Sequence, residues 1–332
     1  MLPVDTEYVI HARDCIAGLA DLPMNSVDFS IFSPPFPALY SYTSMPEDIG
    51  NSENVQTEAK LHLSFFYKQL LRVIKPGRVV IVHVADIPNL KRLGGTQRMI
   101  DFKHLNQKLA ERAGFIWDYT WSVRKNPQSQ AIRTRSRELQ FAGLEADRTR
   151  SRGALPDYLI KLVAPGENAV PVVGGNQVSR EDWIKWAENC WSDIRETDTL
   201  NLAEGRSESD TRHICPLQLS VINRMVRLYT NPGDLVLSPF TGIGSECHES
   251  LLLGRRFVGF EIKPEYHATA LKNAERAIRK RKDATRTLWD MNPALEGVAG
   301  GGGIAACSSM EELQGILSVE DTDPAELTGA ME

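Results

Sequence analysis

What this sequence lacks narrows its chemistry before any motif is weighed. Its five cysteines (Cys15, Cys190, Cys215, Cys247 and Cys307) include no close pair. That spacing argues against a zinc cage or a disulfide framework, and it suits a reducing cytoplasm. No stretch approaches the roughly twenty apolar residues of a membrane helix, so no membrane partner is expected. The opening Met1-Leu2-Pro3-Val4-Asp5 has no basic region followed by an apolar core, so no secretory signal is expected. Internal repeats are absent. Excess positive charge is also missing: the formal net charge is −5, which looks wrong for a protein that handles nucleic acid.

The distribution of charge resolves much of this. Eight basic residues fall between positions 124 and 152: Arg124, Lys125, Arg133, Arg135, Arg137, Arg148, Arg150 and Arg152. Only Glu138, Glu145 and Asp147 oppose them there. By contrast, the last thirty residues hold seven acids and no lysine or arginine. A basic patch can bind phosphates by counterion release even on an acidic chain. A solvated, charged loop is the plainer reading of the same residues. The length of 332 residues allows a large core and one subdomain.

Two stretches carry chemistry. The apolar run Val27-Asp28-Phe29-Ser30-Ile31-Phe32 reads as a buried strand, and Ser33-Pro34-Pro35-Phe36 ends it. Two prolines stop the strand and stiffen the backbone. The result is a small polar acceptor, a rigid turn and an aromatic face at the carboxyl edge of a sheet, where open α/β sheets bind ligands. A flat base bearing an amine suits such a site: Ser33 and a turn carbonyl accept from the amine, and Phe36 stacks on the ring. An ordinary proline turn is the alternative.

The second stretch runs from Asp234-Leu235-Val236-Leu237-Ser238-Pro239-Phe240-Thr241 into Gly242-Ile243-Gly244-Ser245-Glu246. It reads as strand, glycine turn and helix, followed by a strand, Arg256–Phe260, with Glu261 at its end. Glycines let the turn curl tightly and approach a ligand closely. Glu261 follows Gly242 by 19 residues, near the spacing at which an acid meets a ribose in nucleotide-binding βαβ units. The third glycine of the dinucleotide fingerprint is missing. That weakens a dehydrogenase reading, which would also leave the proline motif unexplained.

Together the two motifs resemble those of the amino-methyltransferases that modify cytosine or adenine in DNA. In that family a Ser/Asp/Asn-Pro-Pro-Tyr/Phe motif holds the target amine, and a Phe-x-Gly-x-Gly motif binds S-adenosylmethionine. The catalytic motif comes first here, as in the circularly permuted β group. The resemblance spans about residues 7–281 and implies an α/β, Rossmann-like methyltransferase sheet, circularly permuted, with an inserted target-recognition region. It implies that Ser33, Pro34, Pro35 and Phe36 are catalytic. It assigns the cofactor to Asp14, Pro216, Ser238, Phe240, Gly242, Gly244 and Glu261. Ser238 stands where the family often has aspartate, and the segment around Pro216 departs from the usual pattern. Serine at the first motif position is more common among N4-cytosine enzymes, so cytosine is favoured over adenine. No metal is required. The implied partner is double-stranded DNA; a cognate restriction endonuclease as a second partner stays open, as does the choice between monomer and homodimer. Methylation of RNA or a protein amide, and a silent DNA-binding scaffold, are the competing readings.

The expected organisation is a catalytic half over 1–124, a target-recognition insert over 125–201, a cofactor-binding half over 202–286 and a flexible acidic tail over 287–332. Within the insert, the arginines could reach guanine, and Gln128, Gln130 or Asn176 adenine. Helices are expected over 58–74, with Leu61, Phe65, Leu70 and Val73 inward, and over 102–114, 215–229 and 266–286. Residues 115–123 and 158–163 read as an outer hairpin. Trp183, Trp186 and Trp191 are expected to be buried indoles.

Overall fold

The computed structural model describes residues 7–37, 43, 45, 47–51, 58–88, 99–134, 144–145, 148–173, 178–200 and 217–291. In chain order the strands are β1 (Tyr8–His11), β2 (Val27–Phe32), β3 (Ile74–Val84), β4 (Ile87–Pro88), β5 (Met99–Ile100), β6 (Ile116–Val123), β7 (Asp157–Val163), β8 (Cys190–Trp191), β9 (Leu235–Ser238) and β10 (Arg256–Phe260). The helices are α1 (Cys15–Asp21), α2 (Glu58–Val73), α3 (Phe102–Ala113), α4 (Pro127–Thr134), α5 (Arg180–Trp186), α6 (Leu219–Tyr229), α7 (Ser245–Leu252) and α8 (Pro264–Met291).

Eight strands form one sheet in the order β1-β10-β9-β2-β3-β7-β6-β8. The five from β1 to β3 are parallel, and β7 is antiparallel to both β3 and β6. All six residues of β2 are buried, as a central strand covered on both faces requires. On one face Leu63, Phe66 and Leu70 of α2 pack with Val80, Val82 and Leu162. On the other, Val221, Met225, Leu251 and Ala274 pack with Ile31, Ile81, Val236 and Phe257.

The seam that matters most joins β2 to β9. Phe29 and Ser30 pair with Val236 and Leu237, and Ser30 Oγ donates to the Leu237 carbonyl at 2.9 Å across 207 positions of sequence. At the opposite end Asp28 accepts the Leu235 N–H at 2.9 Å. The carboxyl ends of these strands, bearing Ser33 and Ser238, therefore lie side by side.

Some expectations need correction. Leu61 and Phe65 are 55% and 52% exposed; the buried stripe of α2 is Leu63, Phe66, Tyr67, Leu70 and Val73. Two apolar stripes overlap on this helix, and only one faces the sheet. Helix α6 begins at Leu219, not 215, and Pro216 lies outside the described residues. Trp186 and Trp191 are buried, with the Arg224 guanidinium over their rings at 5.7 and 4.9 Å, but Trp183 is exposed. Strand β7 lies within the 125–201 span yet is integral to the central sheet. Asn176 and residues 292–332 of the acidic tail lie outside the described residues.

Candidate active site

The proline turn and the glycine turn line one cavity. Ser33, Pro34, Pro35 and Phe36 form part of its wall; Pro239, Phe240, Thr241, Gly242, Ile243, Ser245 and Glu246 form another part. Asp14 and Glu261 complete it, with Asp48, Leu217 and Tyr266. It opens at the carboxyl ends of β2, β9 and β10.

The described members of the predicted set each have a definite setting. Pro34 and Pro35 end β2 directly beyond Ser33. Phe36 is half-buried, its ring 5.5 Å from that of Phe102. Phe240 packs into the core against Phe66 at 5.1 Å while still lining the cavity. Asp14 caps α1, accepting the Ala17 N–H at 2.8 Å. Gly242 has φ +54°, and a Cβ there would meet open space. Gly244 has φ +89°, but a Cβ there would come within 3.0 Å of the Ala270 backbone. Positive φ and packing on α8 both call for glycine there.

Glu261 is the hinge of the glycine turn. Its two oxygens accept the N–H groups of Gly242 and Lys263, each at 2.8 Å. Burial pushes its carboxyl up to about 7 despite those bonds. Glu246, unassigned from sequence, sits in the first turn of α7 and lines the cavity; burial pushes it up to about 8. Ser238 Oγ and Ser245 Oγ are buried without a hydrogen-bond partner. Of the lining residues, Asp14, Glu47, Asp48, Glu246 and Glu261 are acids, and Arg13 alone is a lysine or arginine. A cavity of this kind favours a cation that also carries hydroxyls and an amine.

Sequence reasoning missed a polar chain behind Ser33. Ser33 Oγ lies 3.1 Å from His83 Nδ1 and 3.0 Å from the His83 carbonyl. His83 Nε2 lies 3.0 Å from Asp157 Oδ2, and the Lys125 ammonium pairs with the same oxygen. A polar residue at the penultimate position of the apolar run Arg78–Val84 was the available signal.

The expected basic patch is only partly placed. Arg124 and Arg148 are exposed and Arg152 is half-buried. Lys125, expected among the phosphate-facing cations, is buried at 7% exposure and paired with Asp157; burial and pairing remove it from the surface. Gln130 is also buried, bonded to the Leu155 backbone in both directions. Arg135, Arg137 and the side chains of Arg133 and Arg150 lie outside the described residues.

Comparison with known proteins gives the family and the fold. The family described as DNA methylase matches residues 27–272. The type II methyltransferase M.BamHI of Bacillus amyloliquefaciens is 23% identical over 260 residues, covering 76% of this chain and 54% of that protein. The chain thus spans about half the length of that relative. PvuII DNA methyltransferase (cytosine-N4-specific) superposes with a TM-score of 0.59 at 19% identity, over 83% of this chain and 92% of that one. TTHA0409 of Thermus thermophilus, solved with S-adenosyl-L-methionine, gives 0.59 at 20% identity, over 82% and 94%. These likenesses are of fold. Among the described residues no helix is long and apolar enough to cross a membrane. The matched span takes in both turns that meet at the cavity, and the chain belongs to the DNA methylase family of N6- and N4-amino methyltransferases, which are S-adenosylmethionine-dependent.

Proposed function

We propose that this chain methylates the exocyclic amine of a base extruded from double-stranded DNA, with cytosine N4 as the target. The observation that carries the reading is the shared cavity: Ser33 and Phe36 line it together with Gly242, Ser245 and Glu246. The residues suit the donor. S-adenosylmethionine, when bound, supplies a methyl group on a sulfonium, with a neutral thioether as leaving group. Glu261 and Asp14 are available for its hydroxyls and adenine. Glu246 is available for positive charge, and the orphaned Ser245 hydroxyl for a polar contact. Gly242 leaves room that a side chain would fill.

The chain's own part is positioning and electrostatics. The amine of a nucleobase is a poor nucleophile because its lone pair is delocalised into the ring. Hydrogen bonds from it to Ser33 Oγ and the Pro34 carbonyl pyramidalise the nitrogen and aim its lone pair. Phe36 stacks on the ring, and extrusion from the duplex gives access. Arg124, Arg148 and Arg152 contact phosphate. The parts of 125–201 outside the sheet read the target sequence. Serine at the first motif position, and the cytosine-N4 specificity in the name of the PvuII enzyme, favour cytosine. On this reading the chain works in the cytoplasm beside a cognate restriction endonuclease.

Incubation with duplex DNA and cofactor tritiated on the methyl group tests the proposal. After digestion to nucleosides, label is expected in N4-methylcytosine. Label in N6-methyladenine overturns the choice of base. Label only in RNA or protein substrates overturns the substrate class.

A further inference from the structure

The geometry points to a proton relay behind the catalytic serine, in which His83, oriented by Asp157 and Lys125, accepts a proton through Ser33. The inference rests on the methylation reading above and adds a fate for the proton that the alkylated amine must lose.

The atoms are already in line. Ser33 Oγ has two acceptors on the same residue, the His83 carbonyl at 3.0 Å and Nδ1 at 3.1 Å. The far ring nitrogen, Nε2, sits 3.0 Å from Asp157 Oδ2. Burial pushes the Asp157 carboxyl up, but the hydrogen bond with His83 and the charge and hydrogen bond of Lys125 hold it below the usual carboxylate range. An ionised carboxylate accepts and cannot donate, so Nε2 carries the proton of a neutral imidazole. Nδ1 is then bare and faces the serine hydroxyl.

Methylation leaves the amine nitrogen cationic. Its proton passes to Ser33 Oγ while the serine's own proton passes to His83 Nδ1. The nitrogen keeps its electron pair and becomes neutral, Ser33 stays neutral, and the positive charge moves to the imidazole. The imidazolium then donates from both nitrogens, to Ser33 Oγ and to Asp157, while the new serine proton turns to the His83 carbonyl. Both arrangements use hydrogen-bond distances that already exist, so no heavy atom needs to move. Among the described residues, Ser33 and Asp157 lie within hydrogen-bond distance of the ring nitrogens, and Lys125 pairs with Asp157 behind them. Lys103 and Tyr158, themselves stacked at 5.2 Å, lie on the other face of the sheet with Val84.

Two measurements test this. In protein carrying 15N-histidine, two-bond 1H–15N correlation of neutral His83 is expected to show protonated Nε2 and bare Nδ1. A proton on Nδ1 in the neutral ring overturns the relay, and this experiment needs no variant to fold. In single-turnover methylation, His83→Gln is expected to slow the chemical step about 100-fold. Its cofactor Kd should be unchanged, and the acid limb of the pH–rate profile should be lost. An unchanged rate overturns the relay, as does a slower rate whose pH profile runs parallel to that of the parent. A parent protein that transfers no methyl group to DNA overturns the functional reading instead, and the relay with it.

Discussion

The Glu261 carboxylate accepts the Gly242 N–H at 2.8 Å, so the acid at the end of β10 holds the turn that follows β9. A second bond, to the Lys263 N–H, fixes the carboxylate itself. Glu261 is therefore a structural tie as well as a candidate ligand contact. Glu261→Ala leaves two N–H groups without their acceptor. Chemical denaturation of the cofactor-free protein is expected to show a loss of about 1–3 kcal/mol. An unchanged midpoint would mean that the acid matters only to ligand.

The two glycines of the turn are predicted to fail differently. Gly244→Ala combines positive φ with a contact on the Ala270 backbone, and both are properties of the fold. It should lower stability by about 1–3 kcal/mol whether or not cofactor is present. Gly242→Ala should lose about 1–2 kcal/mol to backbone conformation, yet weaken cofactor binding further, because its Cβ enters the open cavity. Thermal melts with and without S-adenosylmethionine separate the two.

The cavity acids set a pH dependence. Burial raises Glu246 to about 8 and Glu261 to about 7, both above the ordinary 4.5. The folded protein thus holds protons that the unfolded chain has released. Their contribution to stability is fully present below about 4.5 and is lost as pH rises through about 7 to 8. A cationic ligand favours the ionised acids, so its binding releases protons and tightens over the same range. Calorimetry in buffers of differing ionisation enthalpy should detect the release, and Glu246→Gln should diminish it.

Ser33→Ala removes the acceptor for the target amine without touching the glycine turn. Methyl transfer should fall by at least about 100-fold while retention of labelled cofactor persists. Phe36→Ala should weaken binding of the extruded base by about 1–3 kcal/mol. Full activity in the serine variant would count against the assignment.

Neighbouring cations should behave unlike one another. Arg148→Ala, at an exposed position, is expected to reduce the salt dependence of DNA binding by about one ion. Lys125→Met should leave that slope unchanged and lower the melting temperature, because Lys125 is buried against Asp157. A filter-binding titration across salt concentrations, with a melt for each variant, distinguishes the roles.

By itself, the sequence determined the local devices. Proline restricts φ and glycine admits positive φ wherever they fall, so the turns at Ser33–Phe36 and Gly242–Gly244 were legible, as were the helix stop at Gly114 and the strands they bound. Only the tertiary structure decided which of these devices meet. The seam between Ser30 and Leu237 brings the two turns to one cavity, and no local rule encodes a pairing across that much chain. The same holds for burial. Lys125 and Arg124 are adjacent and alike in sequence, but one points at Asp157 on β7 and the other at solvent. Leu61 and Leu63 share a helix, but only one faces the sheet. The polar chain from Ser33 to Asp157 joins three separate strand ends, and only packing brings those ends together.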